Sequence, residues 1–135
     1  MEVLTNKVLR FISDTKFEDL PDKVIHQAKR CLLDTLGALL AGSDTPVVRI
    51  MNSFATKYFR GTEATILVSG ERVSTVGAAL ANGNGCNALD IDDGYRMVKG
   101  HPGACVLPVL LAASESAVHP KGTDFLTALV IGYEV

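Results

Sequence analysis

No tryptophan occurs in these 135 residues, and aromatic residues make up only 6% of them. A core must therefore be built from the aliphatic part of a 47% hydrophobic fraction. No basic block is present either. Thirteen Lys and Arg stand against 15 Asp and Glu, for a net charge of −2, so the field that nucleic-acid binding needs is missing. The longest uncharged apolar run, Ala104 to Ser114, is too short to span a membrane. The opening MEVLTNK has no basic region leading into an apolar stretch, so no signal peptide is expected. Cysteines are few, odd in number and far apart, at Cys31, Cys86 and Cys105. Zinc sites use closely spaced ligand pairs, and none is formed here. Buried free thiols in a reducing, cytoplasmic compartment are the expectation. Repeats, low-complexity stretches and linkers are also lacking, which leaves one domain or part of a larger one.

What is present is helical periodicity. Val3, Leu4, Val8 and Ile12 recur at helical spacing and predict a first helix over residues 2–14. A second begins near Asp19, with Pro21 at an early position, and stops at Gly42. Its apolar face runs through Val24, Ala28, Cys31, Leu32, Leu36, Leu39 and Leu40, and its LGALLAG end is expected to be buried all round. A third covers residues 46–59, with Val47, Ile50, Met51, Phe54 and Tyr58 inward. Thr65 to Val73 reads as a short hairpin turning at Ser69-Gly70. Ser74 is a suitable N-cap for a fourth helix to about Ala88, whose glycines fit a closely packed inner position. A fifth runs from Gly103 to Ala117, with Pro108 kinking its first turn or marking its start, and a sixth from Gly122 to Glu134. The fold class expected is all-α: a compact bundle of about six helices with a short β-hairpin excursion.

The chemistry gathers in one stretch, Asp90 to Gly103, DIDDGYRMVKGHPG. A dense polar loop between apolar helices is where a scaffold presents a site. Asp90, Asp92 and Asp93 repel one another unless cations or a metal compensate. Solvated aspartates at a helix end are the bland alternative. A calcium loop is excluded by Tyr95 at its sixth position and His101 at its twelfth. His101 precedes a helix start, where free N–H groups favour an anion, and its imidazole can exchange protons near neutrality. Otherwise it is a loop histidine bonded to backbone. Arg96 and Lys99 either clamp a substrate carboxylate or neutralise the aspartates, and Tyr95 either donates a proton or packs. His26 and His119 read as bystanders.

ANGNGCNALDIDD, GHPGACVLPVLLAASE, the closing GYEV and the opening LPDKVIHQAKRCLLDTLGALLAG together resemble the N-terminal helical domain of the MmgE/PrpD family. That family includes 2-methylcitrate dehydratase, cis-aconitate decarboxylase and iminodisuccinate epimerase, and DIDDGYR…KGHPG is similar to its epimerase-like branch. The resemblance implies a lyase or isomerase that moves protons beside a carboxylate of a small di- or tricarboxylate, with no cofactor and no metal. By position, His101 and Asp90 match the family's active-site histidine and aspartate; Arg96, Lys99, Asp93 and Tyr95 are the expected substrate-binding residues. Gly94 stands where several members have threonine, and Asn87 where many have histidine.

Members of the family are several times longer, with further helices and an α/β domain that closes the site. Residues 1–135 are thus expected to form the first part of the helical domain and to be inactive alone. The apolar end at Val135 is expected to need a partner, as a homo-oligomer or with a chain carrying the missing part. The alternative is a non-catalytic helical interaction module.

Overall fold

Local chemistry sets the element boundaries. Ser74 caps a helix by accepting the Gly77 N–H at 3.2 Å, and Pro46 and Pro102 each open one where a missing N–H costs nothing. The computed structural model describes residues 2–135, with side chains from residue 3 onward. Its helices are α1 (Glu2–Asp14), α2 (Asp22–Gly42), α3 (Pro46–Tyr58), α4 (Thr75–Asn87), α5 (Pro102–Ser116) and α6 (Gly122–Glu134). A 3-10 turn lies at Phe17–Asp19, and β1 (Ala64–Thr65) pairs antiparallel with β2 (Arg72–Val73). The all-α class with a small hairpin is what the sequence led us to expect. No single helix among the described residues is long and apolar enough to cross a membrane.

α4 is the inner helix, packed against α2, α3 and α5. Its small residues make that possible. A Cβ on Gly77 would stand 2.5 Å from the Phe59 Cβ, and one on Gly83 would stand 3.1 Å from the Ala104 carbonyl oxygen. One core cluster gathers Ala55, Ile66, Val73, Ala78, Ala81 and Ala112 around α4 and the hairpin. A second joins Ala28 of α2 to Leu129 and Val130 of α6, with Leu32, Leu110, Phe125 and Tyr133 against it.

Two polar ties hold the hairpin to this core. Buried Asn82 on α4 accepts the Leu67 N–H at 2.8 Å and donates to the Thr65 carbonyl at 3.0 Å. Asn82→Ala leaves both backbone groups unpaired, and urea unfolding should show a loss of about 2 kcal/mol. The second tie is Glu115 on α5, which accepts from the Thr65 N–H and hydroxyl at 3.0 and 2.6 Å and pairs with Arg72 at 2.6 Å. Desolvation pushes its ionisation upward, but the Thr65 hydrogen bonds and the Arg72 charge outweigh that and hold it below the ordinary value of 4.5. A depressed folded-state pKa stabilises above the unfolded value and ceases to do so as pH falls through the folded one. Acid titration should therefore weaken this tie as pH falls below 4.5, with the Asn82 tie unaffected, and Glu115→Gln should remove that part of the acid transition.

Four expectations need correction. In α3 only Met51 of the expected inward set lies on the packed side, with Val48 and Ala55; Val47, Ile50, Phe54 and Tyr58 are exposed. The facing surface of α4 is glycine and alanine, so close approach selects Ala55, while Phe54 packs outside against Tyr58 at 5.0 Å between ring centres. The LGALLAG end of α2 is not buried all round: Ala38, Leu39 and Gly42 are, whereas Gly37 and Leu40 are exposed, because its neighbours cover one side. Pro108 lies well inside α5, which begins at Pro102; its missing N–H leaves the Ala104 carbonyl free to lie against Gly83. Finally, only Cys86 of the three thiols is buried; Cys31 is half-buried and Cys105 exposed.

Candidate active site

Beyond α4 the chain turns sharply. Asp90 takes a left-handed backbone, φ 54°, and its N–H donates to the Asn87 carbonyl at 3.1 Å. Aspartate tolerates that region better than most residues, so the turn needs no glycine. The reversal separates the three carboxylates. Asp90 is 82% exposed at the side chain, Asp92 is 0%, and the half-buried Asp93 turns toward α2 and α6.

His101 is the N-cap residue of α5, 32% exposed, and its ring lies between two of those carboxylates. Nε2 is 3.1 Å from Asp90 Oδ1, and Nδ1 is 3.3 Å from Asp92 Oδ1. The Nδ1 atom is buried and makes no aligned hydrogen bond. Asp92 in turn accepts from the Asn87 side-chain amide at 3.1 and 3.5 Å. Among the described residues, Asp90, Asp92 and His101 each bring one ligand atom within 4.8 Å of the others. Such a nitrogen-and-carboxylate set also suits a divalent cation.

Asp93 has a different task. Its Oδ1 accepts the Gly103 N–H at 3.0 Å, placing a carboxylate at the positive end of α5. Tyr133 of α6 faces it from the other side. Burial first, and then the hydrogen bond to Asp93 and its charge, push the phenol well above the ordinary tyrosine range. Below the site lies Cys86, its thiol raised to about 12 by burial and then by the charges of Asp92 and Asp93.

Tyr95, Arg96 and Lys99 sit on an exposed turn closed by the Tyr95 N–H donating to the Gly100 carbonyl at 2.9 Å, with Lys99 at φ 51°. His101 instead lines an open groove of about 800 Å³ between α4 and α5, together with Leu80, Gly83, Asn84, Asn87, Ala104 and Cys105. Lys and Arg are absent from its lining. The structure thus brings His101 and Asp90 together, gives Asp93 to the scaffold, and leaves Tyr95, Arg96 and Lys99 outside the groove. Asp92 and Asn87 are contact residues of the imidazole and its carboxylate that the sequence reading did not select. The signal available was slight: an amide side chain at the helix end five residues before an aspartate.

A family model of the MmgE/PrpD N-terminal domain matches residues 6–135. Similar curated proteins include the cis-aconitate decarboxylase of Homo sapiens, 34% identical across all of this chain and 29% of that protein. That of Mus musculus is 32% identical, again over the whole chain and 28% of the relative. The cis-aconitate decarboxylase-like protein oryM of Aspergillus oryzae is 31% identical over 97% of this chain and 28% of its own length. The chain therefore spans less than a third of the curated relatives it matches.

Proposed function

The chain belongs to the MmgE/PrpD family, and from that premise we propose that it supplies one wall of a site for proton transfer at the carbon beside a carboxylate of a small di- or tricarboxylate. The observation that carries this reading is the His101 ring, held between Asp90 and Asp92 and opening on the groove. Decarboxylation leaves an electron pair on carbon that must be protonated. Dehydration and epimerisation require a proton to be taken from the corresponding carbon. Either direction needs a group that exchanges its proton near neutral pH, and imidazole does so. His101 is the catalytic residue in this reading, and Asp90 steadies its Nε2 side or meets substrate. Cis-aconitate is the first substrate to test, because the relatives are named for it; 2-methylcitrate and iminodisuccinate follow.

The carboxylates of the substrate are assigned to Arg96 and Lys99, because Asp93 already occupies the α5 N-terminus. Those cations stand outside the groove, so they serve only a substrate that reaches past its mouth or a turn that folds toward it. Tyr95 shares that turn, and Asp93 contributes by fixing the helix end. We assign the opposite wall to sequence outside these 135 residues. The test compares the isolated chain with a full-length enzyme carrying the same residues. Turnover of one of the three substrates by the full-length protein, and none by the isolated chain, is expected. A full-length protein inert toward all three removes the reading, and an active 135-residue chain removes the division into walls.

A second reading, a helical interaction module, is favoured by α1, where Leu4, Phe11 and Ile12 share one helix face and are all exposed. An apolar face of that kind is ordinarily covered by another surface. Light scattering showing a monomer at high concentration would exclude self-association through it.

A further inference from the structure

We infer that Asp92, aimed by Asn87, is the positioning residue that fixes which nitrogen of His101 exchanges protons; this rests on the proposed role of His101. The Asp92 carboxylate is fully enclosed, and the Asn87 amide at 3.1 Å is its hydrogen-bond donor among the described residues. A buried carboxylate needs further donors, and a buried ring nitrogen needs a partner. His101 Nδ1 is such a nitrogen, without an aligned partner and 3.3 Å from Asp92 Oδ1. Each group is the nearest answer to the other's unmet requirement. Hydrogen bonds of this kind are often loose before substrate arrives and tighten in the complex.

The two sides of the ring differ in access. Nδ1 is enclosed and faces the enclosed carboxylate, while Nε2 faces the exposed Asp90. With one proton held on Nδ1 by Asp92, Nε2 is the exchanging atom. It donates to Asp90 while the ring is charged, and the exposed Asp90 is free to turn to solvent once that proton leaves. Asn87, at the last turn of α4, holds the carboxylate oxygens and so transmits the position of that helix to the imidazole. In this sequence the histidine is therefore oriented from behind by an acid two residues away from the one that meets it in front.

The decisive readout is the tautomer, not activity. In the 15N-labelled 135-residue chain, with His26 and His119 replaced by Gln, the His101 imidazole should show the Nδ1–H signature. Asp92→Asn should shift it toward Nε2–H, because an amide can donate as well as accept. In a full-length enzyme carrying these residues, the same variant should lower kcat by up to about ten-thousand-fold, the loss that a histidine held in the wrong tautomer shows, with KM little changed. Asn87→Ala, which keeps the carboxylate, should shift the tautomer partly and decides the matter if Asp92→Asn does not fold. An unchanged Nδ1–H signature in both variants overturns the inference. So does an Nδ1–H signature that appears only with added zinc, which would place the metal on Nε2 and make it, not Asp92, the group that sets the tautomer. Unaltered turnover in His101→Gln would defeat the functional reading while leaving the tautomer result to decide the contact.

Discussion

Replacing His101 by Gln in a full-length enzyme carrying these residues should lower turnover by about 10²- to 10⁴-fold, the usual contribution of a positioned acid–base group. The fold should survive the change. His101 is a third exposed, and although it occupies the N-cap of α5 its side chain makes no capping bond, so little helix stability is withdrawn. Steady-state kinetics beside a far-ultraviolet spectrum separate the two effects. An intact spectrum with intact turnover would mean that the imidazole does no chemistry.

The second large effect concerns stability, two residues further on. A Cβ on Gly103 would stand 2.6 Å from Asp93 Oδ1 and 2.7 Å from the Tyr133 hydroxyl, and would also strike the Thr35 hydroxyl. Those atoms come from the acidic loop, α6 and α2, three segments that cannot all retreat from one added methyl. Overpacking of this kind costs about 1–3 kcal/mol, and Gly103→Ala is expected at the upper end because Asp93 must also keep the Gly103 N–H. Thermal unfolding measures it. A midpoint equal to that of the parent chain would show that the three segments yield more freely than their contacts suggest. Since His101 leads directly into this helix end, the same variant should also impair turnover.

Much of this architecture is legible in the residues themselves. Ser74 and Pro102 mark helix starts by their chemistry, and the glycines of α4 announce a helix that others approach closely. The meeting of Asp90 with His101 follows from loop composition joined to family resemblance. Periodicity failed where packing answered to size rather than hydropathy. In α3 it selected Phe54 and Tyr58, but a surface of glycine and alanine admits Ala55 instead. It was also silent on direction in the acidic loop. Three aspartates within four residues look alike in sequence; a single left-handed residue at Asp90 sends them to solvent, to His101 and to the α5 N-terminus.

The lining of the groove bears on how a substrate arrives. In the proposed reading, a polyanion approaching this wall meets the imidazole with the exposed Asp90 beside it, and no lysine or arginine on the α4 and α5 surfaces. Long-range attraction cannot then originate in the groove itself; it falls to the Tyr95–Gly100 turn and to whatever surface faces it. Encounter and chemistry are thereby placed on different parts of the molecule. Raising the ionic strength screens the first far more than the short-range contacts of His101 in the second, so salt acts on capture more than on turnover.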